Sequence, residues 1–209
     1  MDIAMERIAK VHDNTLALAG LKESPPISID AMFELHLGST TLELSGLGLT
    51  ELPQLVSEGK PSTLVELYCG RNALTYLPPR FFEGLPNLKI LICCSNKLTE
   101  LPSLPPTLEK LQCGNNALTH LPPLPISLKV LTCDNNALTH LPPLPVSLKV
   151  LTCQDNAITY LPPLPHELDN LQCDYESMVY PPPKKFNYGL SNLKTWMEEH
   201  PHHINNIGE

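Results

Sequence analysis

Positive charge is scarce in this chain. Fourteen lysines and arginines stand against 22 aspartates and glutamates, a net charge of -8. Nucleic-acid affinity rests largely on lysine and arginine, so the balance argues against a dominant phosphate-binding surface. Long apolar runs are missing too: nothing reaches the roughly 18 residues that a membrane-spanning helix needs. The opening residues, MDIAMERIAK, have no basic stretch leading into an apolar one, so no cleavable secretory signal is expected there. There is no N-x-S/T sequon and only one tryptophan. Catalytic signatures are absent as well. There is no phosphate loop, no H-E-x-x-H, no G-x-S-x-G, and no acid/base pair that falls on one surface. An enzyme therefore has little support in the sequence. None of the seven cysteines forms a C-x-x-C pair, and they are read as free thiols of a reducing compartment.

What the chain has in abundance is repetition. Residues 113–132 read CGNNALTHLPPLPISLKVLT and residues 133–152 read CDNNALTHLPPLPVSLKVLT, differing only at Gly114/Asp134 and Ile126/Val146. The order L-x-x-L-x-C-x-x-N-x-L-T-x-L-P recurs with its cysteine at Cys69, Cys93, Cys113, Cys133 and Cys153. A degraded copy ends at Cys173, and an opening copy, LELSGLGLTELP, puts Leu44 on the cysteine beat. Steps of 25, 24, 20, 20, 20 and 20 residues make seven units. A fixed period of this kind decides the architecture of a 209-residue chain.

The pattern resembles the leucine-rich repeat over residues 39–182. The expected fold is α/β: a solenoid with a curved parallel sheet on its concave face and an extended, polyproline-like convex face. L-x-L-x-C reads as a short strand with alternating inward apolar residues. One turn cannot bury its apolar face alone, but stacked turns share a core. The cysteines then point inward, one per turn, as small buried hydrophobes. Asn72, Asn96, Asn116, Asn136 and Asn156 form a second ladder. Their amides should satisfy backbone groups where the chain leaves each strand. Leu47 and Glu176 replace this asparagine at the ends. Pro122, Pro123 and Pro125 in LPPLPISL exclude a regular helix on the return path and explain the short period. The longer unit carries RFFEGLPNLK at 80–89, where Phe81, Phe82 and Gly84 suit a helical turn before Pro86.

Both ends are expected to carry helical caps, because terminal turns would otherwise expose core and strand edges. Residues 1–38 are read as an N-terminal cap, with a helix over 2–19 in which Ile8, Val11 and Leu16 share a face. Residues 27–37 are apolar and remain ambiguous between helix and strand. Residues 183–209 are read as a closing helix and tail. Ser191 is its expected cap, Leu193, Trp196 and Met197 its apolar face, and Pro201 its stop. Trp196 is expected over the core of the last repeat.

The phrase LPPLPISLKVLTCDNNALTHLPPLP is narrower than leucine-rich repeats in general. With its twenty-residue period it resembles the repeat domains of effectors that Gram-negative pathogens inject into host cells, the YopM-like and IpaH-like family. The resemblance implies a helical N-terminal cap, a repeat array that binds host proteins, and delivery to a host cytosol by a specialised secretion system. Some relatives continue into a ubiquitin-ligase domain with a catalytic cysteine. No cysteine lies beyond Cys173 here, so that activity is not carried over. The cysteine beat also departs from the family's commoner leucine.

In a solenoid the concave strand face is the extended binding surface. The outward positions singled out for a protein partner are Glu66, Tyr68, Ile90, Ile92, Lys110, Gln112, Val130, Thr132, Val150 and Thr152. Ile90, Val130 and Val150 share one column, and Ile92 and Tyr68 lie in the next. Outward positions need no aliphatics for the fold, so an exposed apolar patch there reads as an interaction site. β-branched residues also simply favour strands. Glu43, Glu66, Asp134, Asp155 and Asp174 make an acidic rim, which predicts a partner with a basic patch and salt-sensitive binding. Cys94 is off the ladder, on the concave side between Gly70 and Gly114, with no histidine on the concave positions beside it to activate it. His120 and His140 fall on one beat of successive turns. They read as an exposed ladder or as a pH-sensitive or metal-binding pair. His200, His202 and His203 sit in the tail. No cofactor is expected. Three readings stay open: an effector that binds a host protein, an adaptor for an enzyme such as a ubiquitin ligase, and a scaffold in the bacterial cytosol.

Overall fold

In the computed structural model the described residues are 39–52, 63–174, 178 and 190–199. The expected cap over 1–38, the PPPKKF segment and the histidine-rich tail lie outside them.

Seven three-residue strands form one parallel sheet in strict chain order. They are β1 (Thr41–Glu43), β2 (Glu66–Tyr68), β3 (Ile90–Ile92), β4 (Lys110–Gln112), β5 (Val130–Thr132), β6 (Val150–Thr152) and β7 (Asn170–Gln172). The register is the repeat itself: Ile90 pairs with Lys110, Lys110 with Val130, and Val130 with Val150. The middle residue of each strand points inward, and Leu67, Leu91, Leu111, Leu131 and Leu151 are all 0% exposed. The ladder cysteines follow two residues later, and Cys69, Cys93, Cys113 and Cys133 are likewise fully buried. All seven cysteines are free thiols. Leucines from the return path, among them Leu98, Leu118 and Leu138, close the core from the other side.

The asparagine ladder, partly buried, satisfies backbone groups where the chain leaves each strand. Asn116 Nδ2 donates to the carbonyls of Cys113 (3.0 Å), Gly114 (3.3 Å) and, one turn back, Cys93 (3.1 Å). Its Oδ1 accepts from Leu98 N at 3.0 Å, also one turn back. Asn72, Asn96 and Asn136 repeat the arrangement. Each amide therefore ties two successive turns together.

Two recurring features were not anticipated. The residue before each of the five ladder asparagines adopts a left-handed backbone: Arg71 (φ 54), Ser95 (57), Asn115 (55), Asn135 (52) and Asp155 (53). On the return path a hydroxyl ladder joins the turns. Thr107 Oγ1 donates to Pro86 and Leu88 carbonyls, Ser127 Oγ to Pro106 and Leu108, and Ser147 Oγ to Ile126 and Leu128. Glu167 occupies the next beat, and an ionised carboxylate donates nothing.

The long unit does close a turn where expected, as a 3-10 helix at Phe81–Gly84. Phe81 and Phe82 are buried edge-to-face, 5.3 Å apart. The closing helix α1 spans Leu190–Glu199. Ser191 falls inside it, so the helix starts earlier than the expected cap position. Leu193 and Met197 are buried in the common core as expected. The side chain of Trp196 lies outside the described residues. Lys194 Nζ donates to His166 and Leu168 carbonyls, at 2.7 and 2.8 Å. It takes over at the end of the array the task that Thr107, Ser127 and Ser147 perform within it.

Candidate functional site

The sheet displays its outward side chains in three columns set by the register. One holds Glu66, Ile90, Lys110, Val130 and Val150, and the next holds Tyr68, Ile92, Gln112, Thr132 and Thr152. The structure therefore brings all the singled-out residues onto one face. All are half-buried rather than fully exposed, because strands one hydrogen bond apart pack their side chains laterally. Lys110 also separates Ile90 from Val130, so the aliphatics form two short patches, Ile90/Ile92 and Val130/Val150, with Lys110 and Gln112 between them. Among the described residues, the large apolar side chains that are plainly exposed are elsewhere: Tyr76, Ile126 and Val146.

The acidic rim is also sorted by the structure. Asp134 spends both oxygens internally, accepting from Thr152 Oγ1 and Gln154 N, each at 3.0 Å. Asp174 Oδ2 accepts from Asp155 N. These carboxylates hold turns together. Glu43 and Glu66 use one oxygen each: Glu43 Oε1 accepts from Ser45 N at 2.8 Å, and Glu66 Oε2 from Tyr68 hydroxyl at 2.9 Å and Thr41 Oγ1 at 3.4 Å. The hydrogen bond to Glu66 raises the Tyr68 phenol above its ordinary range, with smaller contributions from desolvation and the nearby carboxylates. The negative corner of the face is thus at β1 and β2.

The third column runs Gly70, Cys94, Gly114 and Asp134, two residues beyond the second, and Cys94 there is half-buried, unlike the ladder thiols. A Cβ on Gly70 would stand 3.3 Å from Cys94 Sγ, so the glycine leaves room for that sulfur. His120 and His140 are exposed on successive turns, away from this face. No helix among the described residues is long and apolar enough to cross a membrane.

Solved structures show the same architecture. A Shigella effector leucine-rich-repeat domain is 38% identical, with a TM-score of 0.58 over 65% of this chain and 59% of that one. YopM from Yersinia enterocolitica WA-314 is 36% identical, with a TM-score of 0.54 over 60% of this chain and 26% of that one. A leucine-rich-repeat protein of Leptospira interrogans is 30% identical, with a TM-score of 0.51 over 59% of this chain and 34% of that one. The chain thus spans only part of each of these proteins. No protein-family model and no curated protein matches it. A sheet in chain order, a register that pairs equivalent repeat positions from turn to turn and likeness to the Shigella and Yersinia repeat domains make the described solenoid a leucine-rich-repeat domain like those of bacterial effectors.

Proposed function

We propose that the chain is a non-catalytic protein-binding module that acts as a bacterial effector, holding a host cytosolic protein on its concave face. The observation that carries this reading is the likeness to effector repeat domains at 36–38% identity. The concave columns support it, since their side chains are not needed to fill the core. The segments follow the same reading: a cap over 1–38, the repeat array over 39–182, and a closing helix and tail over 183–209. A partner suited to this face brings aliphatic side chains to Ile90/Ile92 and Val130/Val150 and a basic group to the Glu43/Glu66 corner. Net charge of -8 favours the same kind of partner and makes association salt-sensitive.

The test is capture from eukaryotic cytosol, read by mass spectrometry, comparing the wild type with an Ile92→Asp/Val130→Asp variant shown by melting to be folded. The reading expects a host protein held by the wild type, lost by the variant, and released as salt rises. Capture of the same protein by both forms would move the site off the concave face. Specific partners found only in bacterial lysate would favour the cytosolic scaffold, and ubiquitin-ligase components the adaptor.

A further inference from the structure

His120 and His140 stand on the same beat of nearly identical repeats. Backbone bonds pin those turns together beside them: Ala117 N donates to Leu98 O at 2.8 Å, and Ala137 N to Leu118 O at 2.9 Å. Successive turns therefore repeat at close to the strand spacing of about 4.8 Å here. Each imidazole is also oriented by its neighbour. Thr119 Oγ1 lies 3.2 Å from His120 Nδ1, and Thr139 Oγ1 lies 3.1 Å from His140 Nδ1. The same nitrogen is engaged in both, so Nε2 is the nitrogen that each ring has for an outside ligand. When Nδ1–H donates to the threonine oxygen, Nε2 carries the lone pair. A second-shell bond of this kind commonly sets the tautomer of a metal-ligating histidine.

We infer that His120 and His140 form a two-histidine site for a borderline divalent metal ion such as Zn2+, with Thr119 and Thr139 as its orienting groups. Tetrahedral Zn2+ with Zn–N of about 2.0–2.1 Å needs the two nitrogens roughly 3.4 Å apart. Two exposed side chains rooted about 4.8 Å apart reach that by small side-chain rotations. Among the described residues no three His, Cys, Asp or Glu groups are close enough to hold a metal. The chain then supplies two ligands, and water or an outside carboxylate completes the shell. Both imidazoles come from the same position of the twenty-residue line that the chain writes twice.

The test titrates Zn2+ by calorimetry into the full chain carrying His200→Asn, His202→Asn and His203→Asn, which silences the tail imidazoles. One binding event is expected. His120→Ala and His140→Ala should each abolish it without changing the metal-free melting temperature, because both side chains are exposed. Thr119→Val and Thr139→Val should each weaken it by about tenfold or more. No binding in the tail-substituted chain, binding that survives His120→Ala, or indifference to both threonine changes would each overturn the assignment.

Discussion

At the scale of single residues, the fold rests on side chains with two jobs. Asn116 both accepts from Leu98 N and donates to three carbonyls on two turns. Asn116→Ala strands those groups, and a loss of about 2–3 kcal/mol is expected in chemical denaturation. The ladder thiols work by being neutral. Burial, helped by nearby thiols and carboxylates, pushes Cys69 and Cys113 up to about 12 from an ordinary 9.0. Above that ordinary value the unfolded chain releases these protons while the folded chain keeps them. Stability present below about pH 9 is therefore lost as pH rises toward 12, by roughly 1.4 kcal/mol per pH unit for each thiol. Urea melts between pH 8 and 11 should show this fall, and Cys69→Ala/Cys113→Ala should make it shallower without removing it, because burial also raises Cys93 and Cys133. Alkylation of the native protein should reach half-buried Cys94 before the fully buried Cys69, Cys93, Cys113 and Cys133, read by peptide mass spectrometry.

At the scale of the element, five turns hold a non-glycine residue in the left-handed region. Ser95 has φ 57. A left-handed backbone costs a residue with a Cβ about 1–2 kcal/mol, and glycine's extra unfolded freedom costs about 0.5–1 kcal/mol. Relief wins narrowly, so Ser95→Gly should stabilise by about 0.5 kcal/mol, seen as a small rise in melting temperature. Lys194 adds two carbonyl bonds to the docking that Leu193 and Met197 give α1. Lys194→Met keeps the stem and loses both bonds. Hydrogen exchange should quicken in α1 and β7, with little change in β3 to β5, and about 1–3 kcal/mol should be lost locally.

These elements also show how far the sequence could be read. The inward leucines, the cysteine beat and the asparagine amides were legible, because period-two alternation and obligatory hydrogen bonding leave them few alternatives. The left-handed residue was not, because Arg71 and Ser95 are types that give no sign of positive φ, although Asn115 and Asn135 do. The hydroxyl ladder was visible as a Thr or Ser two residues before Glu109, Lys129 and Lys149, yet such residues read as ordinary turn formers. Lys194 carried no signal, since its partners lie 26 and 28 residues away in sequence. On the candidate face the columns could be written down from the period alone. Which carboxylates were already spent could not, because the bonds from Thr152 and Gln154 to Asp134 depend on side-chain geometry across turns.

At the scale of the whole molecule, the solenoid is a one-dimensional stack in which each turn touches only its neighbours. The inward face of every unit carries the fold, and the outward side chains are not needed to fill the core. Exposed ion pairs such as Lys89–Glu109–Lys129 add little to this, roughly 0–1 kcal/mol and less in salt. The most direct test of the account is to delete residues 133–152, one unit of the array, which joins Thr132 to Cys153 in phase. The account predicts a folded protein, one strand shorter, that melts cooperatively with the circular-dichroism spectrum of its parent and a modestly lower melting temperature. An unfolded or non-cooperative product would contradict it, because a turn that its neighbours cannot do without is not a repeat in the physical sense.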